Sequence, residues 1–313
     1  MAEHENSKQS FELRPIELEP GIYNLIPSIE SSLINSTSLS DSELNILKTF
    51  ESSFNEESLD FKSLQEAKEF FDFEDSKSAI EEGLSLAQAI NPEVKMKDFP
   101  IIFLFNSKCG DAKSLHGQGC GININALKPG KSSMDTPHQK IVSYVAHESV
   151  HVFLKQLGKK PPSFSIQRDP LYKGVYGFLW EEGLTTYIEP IHYRHHKVFQ
   201  DDARFWIDSI NKWLQTESVE SKRILLKDII NRESTQYWLR DMSKGRYNFG
   251  SIDVNALDGY ELDSKFLEGL TKMNGPGYHI GSYIWAKKVE EGNNIKDLVM
   301  AGSDEMAKWI KEV

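Results

Sequence analysis

The 313-residue chain lacks the features that mark a protein as disulfide-stabilised, membrane-spanning or nucleic-acid-binding. Its two cysteines are too few for a disulfide framework in a chain of this length. No segment approaches the roughly 20 apolar residues that a membrane span requires. The net charge is -11 and no long Lys/Arg run is present, which argues against nucleic acid and anionic membranes as partners. Residues 1–14 hold no apolar signal-peptide core, so the chain as given is expected to be cytoplasmic, although a chain whose leader had been removed would look the same.

The most informative part of the chain is the five-residue sequence His147-Glu148-Ser149-Val150-His151. Histidines at positions i and i+4 of a helix stand one above the other and can bind a single zinc ion, with Glu148 beside them as a base. Because the chain has nine histidines, this HExxH pattern is expected by chance on the order of a few per cent of the time. The residues around the motif are therefore needed to distinguish a metal site from a chance match.

The residues around the motif favour a buried helix. Thr136 and Pro137 have the types expected of an N-cap and a first helical residue, and Gly158 is the expected stop. In a helix that is apolar on nearly every side, His and Glu side chains are costly unless they are paired or bound to a metal. We expect one Zn²⁺ per chain; the alternative is a pair of core histidines that are satisfied by hydrogen bonds.

A catalytic zinc site needs a third protein ligand. Leu154 and Leu157 stand where the metzincin pattern requires Gly and His, which excludes that class. Further along, the sequence Glu182-Gly183-Leu184-Thr185-Thr186-Tyr187 resembles the third-ligand helix of the gluzincin metallopeptidases, which has the form Glu-Gly-(Phe/Leu)-(Ala/Thr)-x-Tyr. The resemblance implies Glu182 as the third ligand. Glu181 is the alternative, because spacing alone does not separate adjacent carboxylates.

A last segment extends the resemblance. The chain is closest in pattern to predicted zinc-dependent proteases of a largely uncharacterised bacterial family, which combine a glycine-rich strand pair, an HExxH helix, a later Glu-Gly-Leu helix and a Gly-Tyr-x-x-Gly segment. Here that segment is Gly277-Tyr278-His279-Ile280-Gly281. The resemblance implies that Tyr278 or His279 donates a hydrogen bond to the oxyanion formed during hydrolysis. Simple packing of these side chains is the alternative.

Two strands are expected before the HExxH helix. Residues 98–105 have the pattern of a buried strand and residues 119–125 that of a shorter one. In 119–125 Ile alternates with Asn, which fits an edge strand with one face in water. Because an edge strand can pair with an extended substrate, we expect residues 119–125 to contact the substrate.

Other groups of Cys and His have simpler interpretations. Cys109 and Cys120 either form a disulfide or are two unpaired thiols, and a second metal site that includes His116 is not supported by a close Cys or His pair. His192 and His196 are four residues apart, but a proline precedes them and basic residues surround them. An exposed basic turn is therefore favoured there.

These patterns predict an α+β protein: a mostly helical zincin-like metallopeptidase fold with one small mixed β-sheet that precedes the HExxH helix. The expected organisation is a flexible segment at residues 1–20, a helical region at 21–92 and a metallopeptidase domain with a helical C-terminal part at 93–313. Within the helical region, Ser40-Asp41-Ser42-Glu43 has the spacing of a capping box, and Ser63 is expected to open a further helix.

The resemblance implies a gluzincin-like zinc peptidase, in which metal-activated water attacks the peptide bond and Glu148 is the general base. The expected partner is a peptide or protein substrate, and the oligomeric state is left open. One alternative is a non-catalytic binding protein that zinc stabilises; another is a dedicated toxin or effector protease with a single protein target. Glu148 favours the enzyme over the binding protein, because a structural zinc site has no need of a base.

Overall fold

The computed structural model describes residues 16–19, 21–50, 54, 59–90, 100–107, 112–114, 119–128, 136–159, 171–189, 197–232, 253–271 and 276–313. Over these residues the protein is mostly helical and has one small mixed β-sheet. This is the expected α+β class. The chain divides into two compact units, Met1–Gln88 with Glu93–Val152, and Ala89–Pro92 with Phe153–Val313.

The first unit combines strands with helices. Its elements are β1 (Ile16–Glu19), β2 (Ile22–Asn24), α1 (Ile26–Asn35), α2 (Asp41–Phe50), α3 (Phe61–Lys68), α4 (Phe73–Ala87), β3 (Ile101–Leu104), β4 (Ala112–Ser114), β5 (Cys120–Asn123), a 3-10 turn (Ile124–Leu127) and α5 (Pro137–Gln156). The part of α5 that follows Val152 belongs to the second unit.

The five strands form a sheet in the order β1-β2-β3-β5-β4. β2, β3 and β5 are parallel to one another, whereas β1 and β4 pair antiparallel at the two ends. β5 therefore lies inside the sheet, and all of its residues are buried. The prediction that residues 119–125 form a half-wet edge strand is wrong, because β4 occupies that edge.

The Asn of this alternating pattern does not face water, because the hydrogen bonds of Asn123 are satisfied inside the protein. Its side-chain amide donates to the backbone carbonyl of Asn106 at 2.9 Å. Its Oδ1 accepts hydrogen bonds from the backbone N–H groups of Asn106 and Asn125, both at 3.1 Å. A buried amide that is bonded in this way needs no contact with water.

Strands β1 and β2 lie where the sequence analysis expected no strand. Ile16–Glu19 falls in the segment expected to be flexible, and Ile22–Asn24 in the region expected to be helical. The structure forms a short strand at each of these two stretches. β2 is held by its pairing with β3, in which Ile22 lies opposite Ile101, and a strand of this length carries too few residues to show a periodic pattern. Residues 1–15 lie outside the described residues.

Side-chain hydrogen bonds cap the N-termini of two helices in this unit. At α2, the N–H and hydroxyl groups of Ser40 donate to the Glu43 carboxylate at 2.8 and 2.6 Å, which confirms the capping box. Helix α3 begins before Ser63, because Asp60 accepts the backbone N–H of Ser63 at 2.7 Å and takes the N-cap position.

A histidine ties the start of α5 to α4. His138 Nδ1 lies 2.8 Å from Asp75 Oδ1, and His138 Nε2 lies 3.2 Å from Glu82 Oε2. Partial burial alone would lower the pKa of His138, but the hydrogen bonds to the two carboxylates and their charges together raise the pKa above its ordinary value of 6.5. The link is therefore strongest when the imidazole is protonated.

The core of the first unit joins its N-terminal helices to the sheet and to α5. Leu47, Leu64 and Ile80 from the helices belong to the same buried cluster as Phe103 of β3 and Val145 of α5. These N-terminal helices therefore share one core with the sheet and with α5.

The second unit is helical over its described residues, apart from a 3-10 turn at Ser303–Glu305. Its helices are α6 (Leu171–Ile188), α7 (Lys197–Gln215), α8 (Val219–Asn231), α9 (Gly259–Thr271), α10 (Pro276–Glu290), α11 (Ile295–Ala301) and α12 (Met306–Glu312). None of the helices that the structure describes is long and apolar enough to cross a bilayer.

Buried tryptophans organise the second unit. Trp213 of α7 stacks on Phe266 of α9, with ring centroids 4.2 Å apart, and its indole N–H donates to Asp263 at 2.9 Å. Trp309 of α12 meets Trp285 of α10 edge-on at 5.2 Å. The first contact joins α7 to α9, and the second holds the terminal helix α12 against α10.

Candidate metal centre

Helix α5, which carries the HExxH motif, starts where the sequence analysis expected. Pro137 is its first residue. Thr136 Oγ1 accepts the backbone N–H of Gln139 at 3.2 Å, and Gln139 Oε1 accepts the backbone N–H of Thr136 at 2.9 Å. This reciprocal pair is a capping box, so the N-terminal signal is confirmed.

The end of α5 is also confirmed. Gly158 adopts a left-handed conformation with a φ of 65°. The N–H of Lys159 donates to the carbonyl of Leu154 at 2.8 Å, and the N–H of Gly158 donates to that of Lys155 at 3.0 Å. These two bonds form a Schellman motif, which satisfies carbonyls that the helix end would otherwise leave open.

His147, Glu148 and His151 are all half-buried, whereas Ser149 and Val150 between them are fully buried. The two imidazole rings have centroids 5.1 Å apart and planes inclined at 64°. The i, i+4 spacing therefore brings both rings to one face of α5, as a helix requires. Glu148 follows His147 directly and projects from the adjacent stripe of the helix.

Helix α6 supplies the third predicted ligand. Glu182 is half-buried and lies between Trp180 and Leu184, which are both fully buried. The hydroxyl of Thr185 donates to the backbone carbonyl of Glu182 at 2.8 Å. This bond and the buried neighbours fix the section of α6 that carries the carboxylate.

The structure brings together the three residues that the sequence analysis named as ligands. One ligand atom from each of His147, His151 and Glu182 lies within 4.8 Å of the others. Glu181 is not a member of this group, which is the one that the described His, Cys, Asp and Glu side chains form. Zinc holds such atoms at about 2.0–2.2 Å, so the ligands of a tetrahedral site are about 3.4 Å apart. Two imidazoles with one carboxylate are a set of donors that fits a divalent transition-metal ion.

Cys120 lies near the motif, a placement that the sequence analysis missed. It is a free, buried thiol at the start of β5. Burial, and after it the negative charge of Glu148, raise the pKa of Cys120 well above its ordinary range. The thiol therefore stays protonated at neutral pH and is a poor metal ligand or nucleophile. Of the two alternatives for the cysteines, an unpaired thiol holds for Cys120.

Tyr278 and His279 lie in the first turn of α10 and are half-buried. The ring of Tyr278 meets Phe178 of α6 edge-on, with centroids 5.2 Å apart. Phe178 precedes Glu182 by one helical turn. Burial lowers the pKa of His279 to about 4, so its imidazole is neutral near pH 7. Both side chains can therefore donate a hydrogen bond without carrying a charge.

Several residues considered from sequence lie outside the described residues. They are Cys109, His116, His192 and His196. The interpretations of these residues stay predictions.

No protein-family model matches the chain. No curated protein and no solved structure matches it either.

Proposed function

We propose that the chain is a zinc-dependent peptidase with a zincin-like metallopeptidase fold. The observation that carries this proposal is the group of His147, His151 and Glu182, whose ligand atoms lie within 4.8 Å of one another. The described residues supply three protein ligands to this group. Catalytic zinc sites have three protein ligands and keep one position open, whereas structural sites are closed by four.

Glu148 is the general base of the proposed reaction. Its carboxylate takes a proton from the attacking water and gives it to the leaving amine. Zinc, when bound, supplies a Lewis acid that acidifies water and polarises the scissile carbonyl group. The nearby thiol of Cys120 is protonated at neutral pH, since burial and the charge of Glu148 both raise its pKa, and it does not compete for the proton.

Tyr278 and His279 are the proposed donors to the oxyanion that forms when the carbonyl is attacked. Removal of one such donor has cost about 2.7–4 kcal/mol where it was measured. We favour Tyr278, because its phenol donates without depending on protonation near neutral pH. The neutral state of His279, whose pKa is lowered to about 4 by burial, keeps the imidazole available as the alternative donor.

The proposed substrate is a peptide in an extended conformation. Among the strands that the structure describes, β4 is the outer one at its end of the sheet and pairs with β5 on one side. An edge strand offers backbone N–H and C=O groups with which an extended peptide can pair. We therefore assign the backbone contact to residues 112–114, in place of residues 119–125.

Metal analysis of the purified protein and a screen against a diverse peptide library test this function. We expect about one zinc per chain, loss of zinc in the His147→Ala/His151→Ala double variant, and cleavage of peptides by the zinc-loaded protein. Full retention of zinc by the double variant would contradict the ligand assignment. Bound zinc without cleavage of any peptide would favour a zinc-stabilised binding protein. Cleavage of only one sequence would favour a protease with a single target.

A further inference from the structure

Helices α6 and α10 touch through their backbones at Gly183 and Gly281. A Cβ atom added to Gly183 would lie 2.5 Å from both Cα and C of Gly281. A Cβ atom added to Gly281 would lie 2.4 Å from the carbonyl oxygen of Leu179 and 2.6 Å from Cα of Gly183. Because carbon atoms in contact are normally about 3.5–4.0 Å apart, one added methyl group would force the helices about 1 Å apart or rotate one of them.

Neighbouring contacts hold the two helices at the same crossing. One turn after Gly281, the indole N–H of Trp285 donates to the backbone carbonyl of Trp180 at 2.9 Å, and both indoles are fully buried. One turn before Gly281, Tyr278 meets Phe178 edge-on at 5.2 Å. The atoms that an added Cβ would meet are backbone atoms, so no side-chain rotation can relieve the clash. A whole helix would have to move.

Both glycines lie next to groups of the proposed site. Gly183 follows Glu182 directly. Gly281 follows Tyr278 by three residues and therefore lies on the same face of α10. The distance at which the two backbones cross therefore sets the position of the Glu182 carboxylate relative to Tyr278 and His279.

We propose that Gly183 and Gly281 are positioning residues of the metal centre, an inference that rests on the proposed function. Their backbone contact fixes where Glu182 meets the metal and where Tyr278 and His279 stand beside it. Neither glycine has a side chain that could touch metal or substrate. Glycine follows the ligand Glu182 because the backbone of another helix occupies the space that a side chain would take.

The test is the affinity of Gly281→Ala for Zn²⁺, measured in competition with a chromophoric chelator. Alanine is a better helix former than glycine, so the substitution acts on α10 through the clash alone. We expect zinc affinity to fall by about 10- to 100-fold, the range seen when groups that support metal ligands are removed. A displacement of about 1 Å can also lower kcat by about 100-fold, with little change in KM.

Gly302→Ala is the matched control. Gly302 has a φ of 90°, and nothing lies within 4 Å of a Cβ added to it. Alanine there lowers stability through backbone strain and leaves the crossing of α6 and α10 unchanged. We expect wild-type zinc affinity in this variant. If the crossing served stability alone, Gly281→Ala and Gly302→Ala would both be less stable than the wild type. Both would then keep wild-type zinc affinity.

Trp285→Phe is the second variant, because it removes the hydrogen bond to Trp180 and keeps an aromatic ring in place. If Gly281→Ala does not fold, Trp285→Phe tests whether the crossing positions the metal centre. We expect the zinc affinity of Trp285→Phe to fall several-fold. If Gly281→Ala folds and keeps wild-type zinc affinity, the inference is overturned. If it does not fold, wild-type zinc affinity in Trp285→Phe overturns the inference instead. Either result leaves the proposed function standing. A wild-type chain that binds no Zn²⁺ would overturn both.

Discussion

Acid should destabilise the zinc-free protein through His279. Burial lowers the pKa of this imidazole from 6.5 to about 4 in the folded chain. In the unfolded chain the pKa returns to about 6.5. Between these two values the unfolded chain binds the proton and the folded chain does not, so each step down in pH favours unfolding. Above about pH 6.5 the imidazole is neutral in both states, and this contribution no longer changes.

The size of the effect follows from the same two pKa values. As the pH falls from about 6.5 toward the folded pKa of about 4, the free energy of unfolding decreases by about 1.36 kcal/mol per pH unit. The loss is roughly 2 kcal/mol at pH 5 and roughly 3 kcal/mol at pH 4. Domains of this kind are stable by only about 5–15 kcal/mol. Protonation of this one side chain should therefore be visible in an unfolding curve.

Urea unfolding of the chelator-treated protein from about pH 7 to about pH 4 measures this contribution. His279→Gln is the reference, because glutamine keeps a polar side chain that does not titrate. The wild type should lose roughly 3 kcal/mol more than His279→Gln by pH 4. Parallel stability curves for the two proteins would refute the argument, since they would mean that folding leaves the pKa of His279 unchanged.

Three further predictions concern single side chains. Glu182→Gln should weaken zinc binding markedly and Glu181→Gln should leave it unchanged, as metal analysis after dialysis can show; the opposite result would move the third ligand to Glu181. Tyr278→Phe should lower kcat and kcat/KM together, by about 10²–10³, with KM and zinc content nearly unchanged. A wild-type kcat would make Tyr278 a packing residue. The raised pKa of His138 gives stability that is fully present below about pH 6.5 and is lost as the pH rises through the folded pKa. Wild type and His138→Gln should therefore differ most in unfolding free energy at mildly acidic pH, and a pH-independent difference would contradict this.

Local chemistry made the HExxH helix predictable from the sequence. The bonds between Thr136 and Gln139 at its start, and those around Gly158 at its end, join residues that are close in the chain. Helical periodicity alone then places His147 and His151 on one face. The nature of the cap, the first residue and the stop could therefore be deduced without knowledge of the rest of the fold.

Contacts between distant segments could not be deduced in this way. The Ile/Asn alternation predicts a solvent-facing Asn123, but its partner Asn106 follows β3, and only the pairing of β3 with β5 brings the two residues together. The contact between Gly183 and Gly281 likewise requires two helices to cross. The sequence shows a glycine at each of these positions, and the structure shows what lies against it. Cys120 beside Glu148 is a third case, since nothing in the spacing of the cysteines points to it.

Side-by-side measurement of zinc content and peptide hydrolysis in Glu148→Gln tests the proposed peptidase most directly. The amide keeps the size of the carboxylate but cannot take the proton, and His147, His151 and Glu182 are left intact. We predict about one zinc per chain, as in the wild type, and a rate of hydrolysis lower by about 10²–10⁴. A zinc-loaded Glu148→Gln protein that cleaves peptides at the wild-type rate would contradict the assignment of Glu148 as the base.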